Sequence, residues 1–491
     1  MAIESQHPEF QEILPAFTLM RDNIRGEDRI KSKTTTYLKA TESMELDGMK
    51  AKQTGKKNYD LYLDRAVFPD YVKETLPILV GLLGTKPPAI KLPTIMEPLR
   101  DKATSSGESL EILLQRIYLE QLSVGRLGLL VDIPASASSD SRIFPYISIY
   151  NAEAIPNWDD GEITENKTEL KFVCLDESNF KIDSEFNWTA YKKFRILKLD
   201  GNQYKQGVFD ETNGLIYSDS TLVPPTYYGK TFNEIPFVFI NTSDLLPSPD
   251  LPPLYGLGKL CLTIYKTEAD YRYHLHLMSQ ETLVVIGGVS SRNDDGKDEP
   301  LRIGAGARID VEQGGDAKFI GVDSTGLSEE REAIQNDRKL AEAKGVQLVP
   351  DKNQVESGEA LTRRIGSKTA SLKQIAVTGA YGLEIILKKI AVLMNANPDE
   401  VEVKPNLEFS DMMLKGSDIM QLLSAKDKGA PISMRSIHTV MTESKLVKYP
   451  FDEELKLIKE EKLISELQPT PPPEPEISEV KESPVRDKPA A

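Results

Sequence analysis

The stretch that most constrains this chain runs from about Pro252 to Asn395. It reads as a helix over 257–278, a compact β module, a second helix over 329–344, an irregular loop, and one long helix over 359–395. The β module opens with the β-branched run 282–289 and closes with short strands at 307–311 and 317–321. Ser328 is placed to cap the second helix, Glu329 and Glu330 suit its positive N-terminus, and Gly345 suits a left-handed position after its end. Ile334 and Leu340 are the only large apolar residues within that helix. A helix with so little apolar face crosses solvent, lines a wet cavity, or is held by neighbouring chains.

Composition limits what surrounds this core. The chain has 491 residues, enough for two to four domains, and 40% of them are hydrophobic. The net charge of −16 argues against a broad basic face that grips nucleic acid, since such binding runs on phosphate neutralisation. It is compatible with a like-charged wall past which a polyanion slides. Cys174 and Cys261 make no disulfide framework and read as buried free thiols of a reducing compartment. The first residues have neither the basic nor the apolar segment of a signal peptide, and no apolar run approaches the roughly 20 residues that span a bilayer.

Before the core, 58–68 reads as a helix with Leu61, Leu63, Val67 and Phe68 as its apolar residues. After a break at Pro69 comes a helix with the stripe Val72, Leu76, Leu79, Val80 and Leu83, in which Pro77 marks a kink or the first turn. Residues 106–126 form an amphipathic helix on Leu110, Leu113, Leu114, Ile117 and Leu122, ended by Gly125. A buried strand at 128–133 and another at 144–150 follow. From 170 to 241 the period becomes two, with strands near 172–175, 194–199, 204–209, 215–217 and 237–240, and hairpin turns at Asp200-Gly201 and Asn213-Gly214. This is an antiparallel unit within an α+β domain. Pro247–Pro253 is a joint. Beyond the long helix, helices at 412–429, 433–446 and 452–467 make a small subdomain. The segment 468–491, with seven prolines and no aromatic residue, is too polar to fold.

Catalytic patterns are scarce. His274 and His276 lie two apart on one helix, face different sides, and suit packing or an interface better than one ion. There is no Gly-x-x-x-x-Gly-Lys-Ser/Thr loop. Gly304 to Ala307 lacks the third glycine and following helix of a dinucleotide fingerprint and reads as a turn. Asp159-Asp160 and Asp294-Asp295 read as solvated loops rather than magnesium sites. Arg331, Arg338, Lys339, Lys344 and Lys352, around the loop after the second helix, are either contacts for a nucleic-acid backbone or a solvated face balanced by Glu329, Glu330, Glu332 and Glu342.

Several local patterns resemble an uncharacterised-domain branch of the tailed-bacteriophage portal proteins, the head-to-tail connector rings. They are Leu79-VGLLGTKP-Pro88, Gly107-ES-Leu110, Leu122-SVGRLGLLVDI-Pro134, Pro145-YISIYNAEAIPN-Trp158, Glu234-IP-Phe237, Tyr273-HLHLMSQETLVVIG-Gly288, Glu359-ALTRRIGSKTASLKQI-Ala376 and Leu423-SAKDKGAPISMRS-Ile437. Together they span roughly residues 37 to 465. The resemblance implies an α+β portal fold with a wing, a two-helix stem, a small β-containing clip, a long helix and a helical crown. By position, 1–250 is the wing, 251–280 the first stem helix and 281–322 the clip. Residues 323–345 are the second stem helix, 346–358 the tunnel loop and 359–408 the long wing helix and connector. Residues 409–467 are the crown and 468–491 a disordered proline-rich tail. The glycine-rich 304–315 stretch and the proline tail depart from the family pattern.

The resemblance further implies a homo-oligomeric ring, typically of about twelve copies, at one capsid vertex of a virion assembled in the host cytoplasm. Its channel passes double-stranded DNA during packaging and ejection. Its partners are the terminase motor, a head–tail adaptor and the major capsid protein or scaffold, with no membrane, cofactor, metal or catalytic residue. Candidate channel residues are Arg331, Arg338, Lys339, Lys344, Gln347, Lys352 and Asn353. The alternatives are a magnesium-dependent nucleic-acid-processing enzyme using paired carboxylates on the β unit, or another ring component such as a tail adaptor.

Overall fold

The structure, a computed structural model, describes residues 3–134, 144–161, 170–278, 282–288, 311–320, 326–346, 358–409, 416–443 and 446–467. The chain divides into two units, Met1–Phe409 and Ser410–Ala491, and its class is α+β. The helices are α1 (Pro8–Arg25), α2 (Glu27–Ser32), α3 (Glu42–Leu46), α4 (Thr54–Arg65), α5 (Tyr71–Leu83), α6 (Pro98–Asp101), α7 (Leu110–Val124), α8 (Tyr255–Met278), α9 (Leu327–Val346), α10 (Gly358–Leu393), α11 (Gly416–Asp427), α12 (Met434–Glu443) and α13 (Phe451–Leu467). The strands are β1 (Ala89–Lys91), β2 (Arg126–Asp132), β3 (Tyr146–Asn151), β4 (Asn157–Asp159), β5 (Phe172–Asp176), β6 (Asn179–Ile182), β7 (Trp188–Tyr191), β8 (Lys193–Asp200), β9 (Gln203–Asp210), β10 (Phe237–Asn241), β11 (Thr282–Gly288), β12 (Val311–Ile320) and β13 (Glu402–Lys404).

The first unit is built on β2. All seven of its residues are buried, because it is the middle strand of the antiparallel sheet β10-β2-β3 and has α10 and α7 packed on it. The continuous apolar run is what a strand covered on both faces requires. Ser109 caps α7 by accepting from the Ile112 amide, and Gly125 ends it in the left-handed conformation, φ +82°, donating to Gln121 O. That turn delivers the chain straight into β2. The stripe Leu372, Ile375, Ala376, Ala380, Leu383, Ile386, Leu387 and Ile390 of α10 is fully buried against this sheet and α7. Pro77 sits inside α5 rather than at its start.

A second sheet, β4-β5-β8-β9, joins the first through a charged cluster. Arg195 on β8 donates to Asp132 Oδ2 at the end of β2 (2.8 Å) and pairs with Glu177 (2.7 Å), which also accepts from Tyr150 Oη on β3. Arg195 and its neighbours hold the Glu177 carboxyl below its usual range against the opposing effect of burial. Arg126 opens β2 with its guanidinium over the rings of Trp158 (4.1 Å) and Phe239 (4.6 Å), and burial lowers its pKa to about 9.

Several expectations are corrected. The run 237–240 belongs to the first sheet, paired with β2, and not to the period-two unit. Residues 215–217 form no strand, since Leu215 turns the chain at φ +52°. The β8–β9 hairpin turns on Gly201-Asn202, both at positive φ, with Asp200 still paired to Gln203. On α4 the buried residues are Tyr59 and Tyr62, followed by Ala66 and Phe68, while Leu61 and Val67 face solvent. The closing strand expected at 317–321 is the end of a ten-residue strand, β12, paired antiparallel with β11. The rest of the expected strand at 307–311, like Asp294-Asp295 and 468–491, lies outside the described residues.

In the second unit, α11, α12 and α13 follow the anticipated order. Arg435 on α12 pairs with Asp452 on α13 at 2.8 Å, and His438 packs edge-on against Phe451.

Candidate functional site

The helix pair α8 and α9, bridged by the β11–β12 hairpin, is the element through which the polar second helix must act. The pair is antiparallel, because its contacts run in opposite sequence order. His274 Nδ1 lies 3.0 Å from Glu330 Oε1, Glu268 Oε2 accepts from Arg338 at 3.0 Å, and Lys344 Nζ lies beside Gly256. The inward side of α8 is Leu257, Cys261, Ile264, Tyr265, Glu268 and Ala269, all buried. Its C-terminal half is anchored to α4 and the segment after it: Tyr62 Oη donates to Asp270 (2.6 Å), Tyr62 packs edge-on to Tyr273, and Phe68 edge-on to Tyr265. Burial and Asp270 push the Tyr62 phenol well above its usual pKa.

On α9 the buried or half-buried residues are Leu327, Glu330, Ile334, Asp337 and Ala341. Their spacing of three and four makes one narrow seam. The rest of the described helix faces solvent. The helix runs from Leu327 to Val346, so Ser328 falls in its first turn and Gly345 in its last, rather than at the caps; helix ends fray over that distance.

Glu268 is the key side chain of the pair. Its carboxylate is 6% exposed and takes Arg272 Nε at 2.8 Å from its own helix and Arg338 Nη2 at 3.0 Å from α9. A buried carboxylate held between two guanidinium groups fixes the register of two helices that share little apolar surface. Its sequence signal was a glutamate on the apolar face, four residues after Ile264.

Of the seven residues singled out from sequence, Arg338 is in this ion pair. Arg331 lies seven residues before it on the same flank of the seam, Lys344 on the opposite flank and Lys339 on the far side, all exposed. The four cations therefore do not converge. They alternate with Glu329, Glu330, Glu332, Asp337 and Glu342, so α9 carries five acids against four bases. Gln347, Lys352 and Asn353 lie outside the described residues.

For the enzyme alternative, Asp132 on β2 and Glu177 just after β5 are both held by Arg195, in a cluster where Asp132 is buried and Glu177 and Arg195 are half-buried. Among the described residues no three His, Cys, Asp or Glu side chains are grouped to hold a metal ion. Both cysteines are buried free thiols, pushed up to about 12 by burial. No described helix is long and apolar enough to cross a membrane.

Two open clefts lie elsewhere on the first unit. One, of about 820 Å³, is bounded by charged side chains of β1, β13 and α10. The other, of about 570 Å³, lies between the 230–234 loop and the end of α10, with Phe232, Ile385, Val392 and Leu393 as its apolar walls.

The family model described as "Domain of unknown function (DUF4055)" matches residues 253–393, the helix–β–helix–long-helix segment. No curated protein matches the chain. Among solved structures, "Virion of native gene transfer agent (GTA) particle" is 12% identical over 76% of this chain and 89% of the other, with a TM-score of 0.38. "Neck of empty GTA particle computed with C6 symmetry" is 10% identical, covering 76% and 90%, at 0.38. "Neck of native GTA particle computed with C12 symmetry" is 14% identical, covering 76% and 89%, at 0.37. Similarity at that level carries no inference about what this chain does.

Proposed function

We propose that the chain is a portal subunit: about twelve copies close around an axis at one vertex of a phage-type particle, and double-stranded DNA passes through the opening. The observation that carries this reading is the exposure of α9. A twenty-residue helix that buries one seam and presents charges on every other side is poorly supported within its own chain. Packed between like neighbours in a ring, its remaining sides find partners. Resemblance to the portal proteins in the order of local motifs supports the same reading. In it, 1–250 is the wing and α8 and α9 are the stem. The β11–β12 hairpin belongs to the clip that meets the terminase motor and later the adaptor, 346–358 is the tunnel loop, and α11 to α13 are the crown beside capsid or scaffold. The alternating charges of α9 and the acidic chain as a whole disfavour tight capture of DNA and favour a wall past which it moves.

Negative-stain microscopy and sedimentation of the purified full chain test the proposal. Annular particles with a central hole are expected. Solitary monomers at every concentration, with none recruited to particle vertices, would remove the portal reading. Rings found only between the vertex and the tail would favour the adaptor alternative. A magnesium-dependent cleavage of DNA by the purified chain would favour the enzyme.

A further inference from the structure

The ribbon formed by β5 and β8 continues past its sheet as the hairpin β6–β7, with neither β4 nor β9 beside it. Every residue from Asn179 to Ala190 is exposed. In the antiparallel register Phe180 faces Ala190 and Ile182 faces Trp188, so these four side chains share one side of the ribbon. Phe180 is 65% exposed and Trp188 67%. At the turn, Asp183 Oδ1 accepts from the amides of Glu185 and Asn187 at 2.8 Å and holds Phe186 at φ +65°, where its ring is 81% exposed. Positive φ is unfavourable for a bulky residue and marks a position held for a purpose. An isolated two-stranded hairpin is also marginal in water, and aromatic side chains on its open face are the kind that anchor interfaces.

The same chain carries a matching socket. The 570 Å³ cleft beside α10 falls within the roughly 300–1,000 Å³ range of pockets that enclose small ligands. It is apolar inside, with Val392 60% exposed; at its rim Lys389 pairs with Glu234 and Lys388 with Glu384, which leaves Lys230 as a lining cation with no acidic partner among the described residues. The hairpin turn that bears Phe186 carries Asp183 and Glu185. Apolar surface thus meets apolar surface, and the acidic turn meets Lys230 at the rim.

We propose that the β6–β7 hairpin of one copy seats in the α10 cleft of the next copy, a head-to-tail contact between wings. The inference deepens the portal reading and rests on it. Two different patches on one chain are what a heterologous interface needs, and repetition of such a contact closes a ring when its rotation returns to the start.

The chain has two tryptophans, of which Trp158 is buried at 4% exposure. Emission from Trp188 therefore reports on the hairpin. On ring formation the wild-type spectrum shifts to shorter wavelength. The double variant Phe180→Ser/Phe186→Ser, which alters only exposed positions, and the cleft variant Val392→Asp each lose ring closure. Loss of each anchoring aromatic weakens the contact by at least about 30-fold. An equimolar mixture of the two variants forms heterodimers and no rings, since one sound contact remains per pair. Wild-type rings with Trp188 still water-exposed would overturn the contact while leaving the portal reading intact. So would rings formed equally well by the hairpin variant. Rings or homodimers from the mixed variants would show the contact is not head-to-tail. Absence of any wild-type assembly would overturn both.

Discussion

Arg338 and Lys339 are adjacent cations on α9, and the structure gives them different work. Arg338 closes the Glu268 ion pair across the helix seam, and Lys339 points away from it. Replacing each with glutamine makes the same change in charge, so their difference isolates the pair. A hydrogen bond to a charged group contributes about 1.5–3 kcal/mol, whereas an exposed ion pair contributes about 0.2–1 kcal/mol. This pair joins a carboxylate that is 6% exposed to a guanidinium that is 44% exposed. A value of about 1–1.5 kcal/mol follows, less than the buried limit because Arg338 regains water when the pair breaks and Glu268 keeps Arg272. Hydrogen exchange resolves such a local change where whole-chain unfolding does not. Amides along the α8–α9 seam should exchange about 5- to 10-fold faster in Arg338→Gln than in the wild type. Lys339→Gln should leave them unchanged. In a Glu268→Gln background, Arg338→Gln should add little. Equal exchange in Arg338→Gln and Lys339→Gln would refute the assignment of Arg338 to the helix seam.

Three further outcomes are expected. Arg195→Leu removes the guanidinium that Asp132 and Glu177 share, leaving Glu177 with Lys193 and Tyr150, and should cost about 1.5–3 kcal/mol near pH 7. In the wild type the depressed Glu177 contributes stability above its unfolded pKa and loses it as pH falls through the folded value. In the variant, protonation relieves Asp132, which has lost its cation, so the cost should shrink toward pH 4 in denaturant titrations; an equal cost at both pH values would contradict this. Gly128→Ala puts a methyl 2.1 Å from Phe237 Cζ and 2.9 Å from Ile155 Cδ1, inside the most buried strand, and should destabilise by about 1–3 kcal/mol or more; an unchanged melting temperature argues that β2 is packed otherwise. Cys174 and Cys261, both pushed up to about 12, should resist a thiol reagent at pH 8 until the chain is denatured; labelling of the native protein would show that either is accessible.

The parts of the fold legible in the sequence are those where local pattern and burial coincide. The apolar stripe and glycine stop of α7 and the apolar run 127–131 of β2 each state their environment within a few residues. What was illegible depended on partners distant in sequence. Nothing in 237–240 says that it pairs with 127–130 rather than with nearby strands. On α4, counting aliphatic residues chose Leu61, whereas the structure buries Tyr59 and Tyr62, whose hydroxyls donate to Leu38 O and Asp270; tyrosine packs inward wherever its oxygen finds an acceptor. The β6–β7 hairpin was missed because the period-two reading looks for one buried side, and this ribbon buries neither. Of the candidate site, the sparse apolar seam of α9 was visible in its composition. The place of Arg338 was not, because it depends on a glutamate seventy residues earlier.

These features share one physical cause. An isolated helix of about twenty residues with few apolar side chains is marginal in water, and so is a two-stranded hairpin. The chain contains both: α9, with one buried seam, and β6–β7, with aromatic side chains in solvent. The first unit has an ample core elsewhere, around β2, α7 and α10, to which α9 adds only Ala341 and β6–β7 adds nothing. Exposed elements joined to a sound core incur conformational entropy that their own contacts do not offset. In the portal reading that stabilisation comes from a neighbouring copy. A partner that meets α9 on its charged flanks must do so by complementary charge, and one that meets β6–β7 must do so by apolar contact. A second copy of the chain offers both kinds of surface: the α9 helix, with its five acids and four bases, and the apolar cleft rimmed by lysines beside α10.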